Sequence, residues 1–486
     1  MNAEVDTRLA HRSLRVLVIA AGIGTSIVFI VVGLSSELQM FGDGSIFSYA
    51  VAAQDAWSFH WHNISGRLFT FAFVYGPAEA YVGLTKSAKG GIAVSGLLFF
   101  SAQLLGLVVT LMADRTTGRV IFSYACLSTA CLCPLVFGAP TEMWIAHAVF
   151  WPTLAVCLCA PANPHGAAFV FVALLALVFT HEGAIVFAGT ILLALFLRDW
   201  RDAIFVRAFC AFCAAMTIWL IVKITMRPDN YIAGVLAAAA YKFIDVRNLA
   251  QPVFLLLLFA LAGYGVAVVV LQRLHPARAR LYAILVCAVV LAVYWVWFDR
   301  SLLTEARYNL RTVLLIMTPV FGILAVVYAM QDGERRRSPF PFLAQMALAA
   351  ENSLNPRSIA GAILLTMLVY AVETAKFVWV WTEYKVAVRT LAIGSDSDPA
   401  LGNAQFVSSR RIGADLNRLS WNSTTPYLSA LVAPGLAPAR LVVDPGAAYF
   451  WLSCETAARS EQTSTAIPAE SRRLIRLYAC LHRPRG

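Results

Sequence analysis

The sequence is expected to fold as an all-α polytopic membrane protein with about eleven transmembrane helices and a helical first periplasmic loop, followed by a small mixed α/β periplasmic C-terminal domain. Three observations carry this expectation. Of the 486 residues, 60% are hydrophobic and only 13% charged, whereas soluble proteins carry about 25% charged residues. Unbroken apolar runs recur at a spacing that suits helices, which need roughly 20 residues to span, while closed barrels show alternation instead. After about Trp381 the composition turns polar, and no further run of spanning length follows.

Arg8, Arg12 and Arg15 precede the first apolar run. That run is too long for a signal peptide and lacks a clear small-x-small cleavage site, so it reads as a retained helix with a cytoplasmic N-terminus. The spans expected are Val16–Leu34, Gly91–Met112, Val120–Phe137, Met143–Cys159, Ala167–Thr180, Gly183–Leu197, Ala208–Val222, Pro252–Leu271, Leu281–Phe298, Val313–Met330 and Ile359–Val380. Alternation from a cytoplasmic start places Asp114–Arg119, Arg198–Arg207, Gln272–Arg280 and Gly333–Arg337 inside. These are the arginine-rich connections, as the positive-inside rule requires.

The same register makes residues 35 to 90 the first outer loop. Its stretches Ser45–Trp57 and Arg67–Leu84 (with Gly76, Pro77 and Glu79) read as helical pieces on the membrane surface. Ala167–Thr180 and Gly183–Leu197 are short, and fourteen helical residues rise only about 21 Å. Their His181-Glu182-Gly183 junction is therefore expected below the outer surface, beside protein or a water-filled cavity. The division expected is a membrane domain over 1–381 and a periplasmic domain over 382–486.

The net charge of +11 suits cytoplasmic loops meeting anionic lipid, and nucleic acid is not an expected partner. Most of the ten cysteines fall in apolar helices, where they behave as small hydrophobes. Cys131-Leu132-Cys133 lacks zinc-site spacing, and no metal ligand set is expected. Cys454 and Cys480 alone lie in the polar tail, where an oxidising compartment favours a disulfide between them.

Chemistry-bearing residues gather on the outer face. Asp43 opens the first loop, which also holds Arg67; Glu142 lies in the second outer turn; His181 and Glu182 sit between the short helices; Arg307, Tyr308 and Arg311 stand where a late helix re-enters. A carboxylate facing a cavity can take a proton from an attacking hydroxyl. Arginine forks suit a lipid phosphate. Each has a plainer alternative: Asp43 and Glu142 as helix-terminal acids, and the arginines as interfacial anchors. His147, His275, Lys86 and Lys89 read as structural or surface residues.

Taken in this order, FGDGSIF around Asp43, FGAPTEMW around Glu142, ALLALVFTHEGAIVFAGTILLALFL and ARYNLRTVLLIMTP resemble the GT-C superfamily of polyprenyl-phosphate-sugar-dependent glycosyltransferases, which includes protein O-mannosyltransferases and aminoarabinose transferases. The resemblance covers about residues 15–330. It departs at Gly44, where a second acid is usual, and at His181-Glu182, where the family's short turn carries a lysine. It implies an inverting glycosyltransferase of the bacterial inner membrane. Asp43 and Glu142 would be catalytic, and Arg67, His181, Glu182, Arg307, Tyr308 and Arg311 would bind substrate. The donor would be a lipid-phosphate-linked sugar and the acceptor a glycan, lipid or protein, with a divalent metal left open. A transporter or flippase of lipid-linked sugars, or an O-antigen ligase or polymerase, are the competing classes.

Overall fold

The computed structural model describes residues 2–133, 141–225, 252–276, 278–299, 309–330, 355–394, 406–417, 419 and 424–443, with isolated positions between 338 and 349. It is mostly helical. Seven helices among these residues are long and apolar enough to cross a membrane: α1 (Asn2–Ser35, apolar from Ala10), α6 (Ala88–Ala113), α8 (Glu142–Cys159), α11 (Ala203–Thr225), α12 (Pro252–Leu274), α13 (Ala279–Val293, continued by a π turn to Phe298) and α15 (Pro356–Ile393). Shorter apolar helices are α7 (Val120–Leu132), α9 (Pro164–Val178) and α14 (Asn309–Ala329), and α10 (Ala184–Asp199) packs among them. The expected spans fall within these helices, except that residues 133–137, Phe179, Thr180, Gly183 and Met330 lie beyond the described helix ends.

Backbone contacts between small residues set two of the crossings. A Cβ on Gly22 of α1 would stand 2.6 Å from the Cys126 Cα of α7, and one on Gly106 of α6 would stand 2.4 Å from the Ala148 carbonyl oxygen of α8. Apolar side chains give helices no reason to leave lipid for each other, so close backbone approach and van der Waals contact do this work. His147, a buried polar residue of this core, lies 2.8 Å from the Ser128 hydroxyl and 3.1 Å from Gln103 Oε1.

The first loop is helical, as its composition suggests, but its opening helix does not lie on a surface. In α2 (Asp43–Ala52) every residue from Gly44 to Ala52 is buried. Apolar residues surround the helix rather than forming one stripe, because α6 covers one side and the C-terminal segment another. From that segment α17 (Thr425–Val432, which follows the four-residue α16, Ala414–Asn417) packs onto α2. The Ser45 hydroxyl is shared between the carbonyls of Gly42 at 2.9 Å and Thr424 at 3.0 Å. The Tyr49 and Tyr427 rings are 5.8 Å apart.

The loop continues through α3 (Ala56–Asn63), α4 (Leu68–Thr70), a π turn over Phe71–Tyr75 and α5 (Gly76–Thr85). Glu79 receives the Ala56 and Trp57 amides at 3.2 and 3.3 Å, closing the start of α3.

The composition change at Trp381 is not an element boundary, since α15 runs on to Ile393. Beyond the apolar stretch Tyr384, Val388 and Ala392 recur at helical spacing and are buried, while Thr382, Glu383 and Arg389 are exposed. Amphipathic periodicity thus carries the helix out of its apolar part. Its 38 residues rise about 57 Å, against about 30 Å of hydrocarbon. Among its described residues the tail holds one parallel strand pair, β1 (Phe406–Ser408) with β2 (Leu441–Val443), and the Arg440 amide donates to the Ala392 carbonyl at 3.0 Å. Cys454 and Cys480 lie outside the described residues, and the eight described cysteines are free thiols.

Replacing Gly106 tests the α6–α8 crossing. Gly106→Leu must push the Ala148 backbone away, and the expected loss is about 1–3 kcal/mol, as for overpacked cores. A lower melting temperature in detergent checks it; an unchanged one would mean that the helices need not approach so closely.

Candidate functional site

Four separate pieces of chain meet at one end of the bundle around Arg67. The residue follows Gly66 in a short 3-10 turn before α4, and only 6% of it is exposed. Its Nη1 lies 3.1 Å from Glu142 Oε1, and its Nε donates to Glu182 Oε2 at 3.0 Å. Lys223, near the end of α11, stands 3.4 Å from the other Glu182 oxygen. Two cations and two carboxylates thereby form one charge-balanced chain, Glu142–Arg67–Glu182–Lys223.

Local sequence explains each position. Glu142 is the first helical residue of α8, behind the Thr141 N-cap, so its carboxylate stands at the positive end of the helix. Glu182 lies in the junction between α9 and α10, which the first loop grips. The Phe69 amide donates to the Phe179 carbonyl at 3.1 Å, and the Thr70 hydroxyl to the Thr180 carbonyl at 2.9 Å. The junction is sunk into protein, as the short helices suggest, with His181 only 3% exposed. His181 Nδ1 accepts from the Gly183 amide at 2.9 Å and lies 3.9 Å from Glu182. Gly66 lets the turn reach α11: a Cβ there would stand 2.5 Å from Lys223 Cε and 3.0 Å from Trp219 Nε1. The Lys223 ammonium sits 5.5 Å from the centre of the Trp219 ring, within cation–π range.

Asp43 opens α2, and Gly42 before it has φ +56° and ψ −129°, a conformation nearly confined to glycine. Asp43 is half-buried. Tyr75 links it to the ion chain: burial raises the phenol well above its usual range, the charges of Glu142 and Asp43 add to this, and Arg67 opposes it. Beside Tyr75, the His60 ring packs at a 38° tilt with ring centres 4.8 Å apart, and its Nδ1 donates to the Ala56 carbonyl, 2.9 Å away. Burial chiefly brings the His60 pKa down to about 3, the Ala56 bond opposing and Arg67 assisting, so the ring is neutral at physiological pH.

Burial favours the protonated form of Glu182, but the charges of Arg67 and Lys223 outweigh it and hold the carboxyl well below its usual range. Among the described residues, Glu142 Oε1, whose contact with Arg67 is ionic without hydrogen-bond alignment, and Trp219 Nε1 are buried without an aligned hydrogen bond. Among the described residues no group of three or more His, Cys, Asp or Glu is disposed to hold a metal ion. A divalent cation at the glutamates would have to displace Arg67 and Lys223.

Of the residues singled out in the sequence, Arg67, Glu142, His181 and Glu182 come together, and Asp43 lies within electrostatic reach through Tyr75. Arg307 and Tyr308 lie outside the described residues, and of Arg311 only its place in the first turn of α14 is described. Lys223, Trp219 and Tyr75 were not singled out. A signal for Lys223 existed: it is the one charge beyond Arg207 in α11, on the side to which alternation also assigns the His181-Glu182 junction.

Arg67→Ala strips the compensating charge from Glu142 and Glu182. Removing one partner of a buried pair costs about 3–5 kcal/mol, so a sharply lower melting temperature is expected, with Arg67→Lys recovering only part of it. Because Glu182 has a depressed pKa in the fold, its contribution is full above the unfolded value of about 4.3 and is lost as pH falls through the folded value. The melting-temperature gap between the native protein and Glu182→Gln should therefore stay constant from pH 8 to 5 and narrow only below that; a gap closing near neutrality would contradict the assignment.

A scan against models of known protein families gives no match, and a search of curated proteins gives none either.

Proposed function

We propose that the chain is an inverting glycosyltransferase of the bacterial inner membrane, with eleven spans, a cytoplasmic N-terminus, and its site and C-terminal segment on the periplasmic side. It would move a sugar from a polyprenyl-phosphate carrier to a glycan, lipid or protein acceptor. The observation that carries the reading is the meeting of Arg67, Glu142, Glu182 and Lys223 at one bundle end, with Asp43 in electrostatic reach. Alternation over eleven spans puts the α1–α6 loop, the start of α8, the α9–α10 junction and the end of α11 on one side, as the ion pairs between them demand.

In the reaction proposed, Asp43 takes the proton of the acceptor hydroxyl as its oxygen attacks the anomeric carbon. The bond from that carbon to the carrier phosphate oxygen breaks, and its electron pair leaves with the phosphate. General-base assistance of this kind contributes about 10²–10⁴ in rate. Cations stabilise the departing phosphate, a role open to Lys223 and Arg67 as well as to Arg307 and Arg311. Glu142 and Glu182 keep Arg67 and Lys223 compensated and aimed before substrate arrives. Tyr75 and His60, neutral and packed together, hold the loop behind Asp43.

Asp43→Asn keeps the side chain's shape and removes its basic oxygen. In protein reconstituted with a polyprenyl-phosphate sugar, transfer should fall by about 10²–10⁴ while carrier binding persists. A helix-terminal role alone would instead lower stability by roughly 1 kcal/mol and leave turnover of the folded protein unchanged. A flippase would relocate the intact lipid-linked sugar without cleaving it, and that outcome would replace the transferase reading. Topology is checked separately: alkaline phosphatase fused after Arg337 should be inactive and fused after Val443 active, and the reverse would put Asp43 in the cytoplasm.

A further inference from the structure

A second polar feature lies away from the ion chain. Between the end of α1, the start of α6, the polar extension of α15 and the end of α17 runs an open groove of about 770 Å³, within the usual range of ligand pockets, about 300–1,000 Å³. Its charged lining is Lys89, Lys385 and Arg389 against the single carboxylate of Glu37. Lys385 is committed to Glu37 at 2.8 Å and to the Ser36 carbonyl at 2.9 Å, which leaves Lys89 and Arg389 as exposed cations along the rim.

The rest of the wall is apolar and open to the side. Leu97 is 47% exposed and Val386 60%, and both line the groove. Lys89 and Leu97 are eight residues apart on α6, about 12 Å along its axis. The groove thus runs from the apolar part of the bundle to its charged end over the depth that separates acyl chains from headgroups. On α15 the lining residues Thr382, Lys385, Val386 and Arg389 recur at i, i+3, i+4 and i+7, so one helix face carries both the charge and the apolar contact. At the floor Gln39 is 8% exposed, and its buried amide oxygen has no hydrogen-bond partner among the described residues.

We propose that this groove binds one anionic phospholipid of the surrounding leaflet, with its phosphate between Lys89 and Arg389, a headgroup hydroxyl donating to the Gln39 amide oxygen, and an acyl chain along Leu97 and Val386. Charge complementarity selects an anionic lipid, the lateral opening lets it arrive from the bilayer, and the unsatisfied amide selects a headgroup that can donate. Phosphatidylglycerol meets all three requirements, and phosphatidylcholine fails the first and third. The bound lipid would fasten the α15 extension and α17 to the first loop. This inference stands independently of the transferase reading.

The test is native mass spectrometry and thermal melting of the full chain in nanodiscs of phosphatidylcholine with or without phosphatidylglycerol. Phosphatidylglycerol should remain bound at one per chain and raise the melting temperature. Lys89→Ala with Arg389→Ala, both exposed and outside the ion chain, should fold normally and bind it about thirtyfold more weakly, the product of about 1 kcal/mol for each basic residue at a lipid surface. Lys89→Arg with Arg389→Lys should restore binding, and Gln39→Leu should weaken phosphatidylglycerol more than phosphatidic acid. Equal retention of the neutral and anionic lipids, unchanged binding by the double alanine variant, or stoichiometric displacement by polyprenyl phosphate would each overturn the proposal; the last would assign the groove to the carrier.

Discussion

A guanidinium retains its charge at every pH a protein meets, so a buried arginine obliges the fold to bring acids to it. Arg67 is such a residue, and the acids come from far along the chain: its hydrogen-bonded partner Glu182 is 115 residues away. Meeting this requirement fixes the α8 N-terminus, the α9–α10 junction and the first loop relative to one another. The loop's hydrogen bonds to the Phe179 and Thr180 carbonyls follow from the same closure. Lys223 then adds α11, because Glu182 faces Arg67 with one oxygen and would otherwise bury the other without a cation. The network is costly to desolvate, and a well-packed apolar replacement could be as stable. What it supplies is position: four chain segments have one way to meet.

The helices were legible in the sequence because apolar length is a local property. Each expected span from Val16–Leu34 to Ile359–Val380 falls on a described helix, though Val120–Phe137, Ala167–Thr180, Gly183–Leu197 and Val313–Met330 run past their described ends. The misreadings have local causes as well. Ser45–Trp57 looks like a surface helix when its neighbours are unknown, yet α2 is buried because α17, almost four hundred residues later, covers it. The change of composition at Trp381 marks where α15 leaves its apolar stretch, and the buried Tyr384, Val388 and Ala392 carry the same helix onward. Composition reports the surrounding medium, whereas periodicity reports which face is packed, and here the two change at different residues.

The site was legible as parts but not as an arrangement. Glu142 and His181-Glu182 stand out because acids between apolar helices are expensive, and Arg67 stands out in a loop of unusual composition. No local pattern says that Arg67 lies between the two glutamates, since ion pairing is decided by tertiary packing. Lys223 was hidden for the opposite reason: a lysine at the end of an apolar helix is ordinary, and its stem can lie along the helix while the charge reaches the surface. Only its neighbours, Glu182 at one side and the Trp219 ring at the other, distinguish it. Gly66 was equally silent, and its role is visible only from the Lys223 and Trp219 atoms that a side chain there would strike.

The balanced charges also constrain the chemistry proposed. A cation waiting alone for a phosphate inside a protein would be desolvated without compensation, a penalty of several kcal/mol. Glu142 and Glu182 remove that penalty in the resting protein, but they also compete with an incoming phosphate for the same cations. The Arg67 fork has five N–H donors, and its Nε is directed at Glu182, so a carrier phosphate can be accepted by rearranging the remaining contacts rather than by breaking the whole chain. Lys223, with a single charge and three donors, is suited to follow the phosphate as its charge grows. In the proposed transferase the glutamates therefore hold the cations in place and ready, while proton removal is left to Asp43 on α2. Glu142 is needed to compensate Arg67, whereas Asp43 stands on a separate helix, behind Gly42, where a proton can be taken up without dismantling the ion chain.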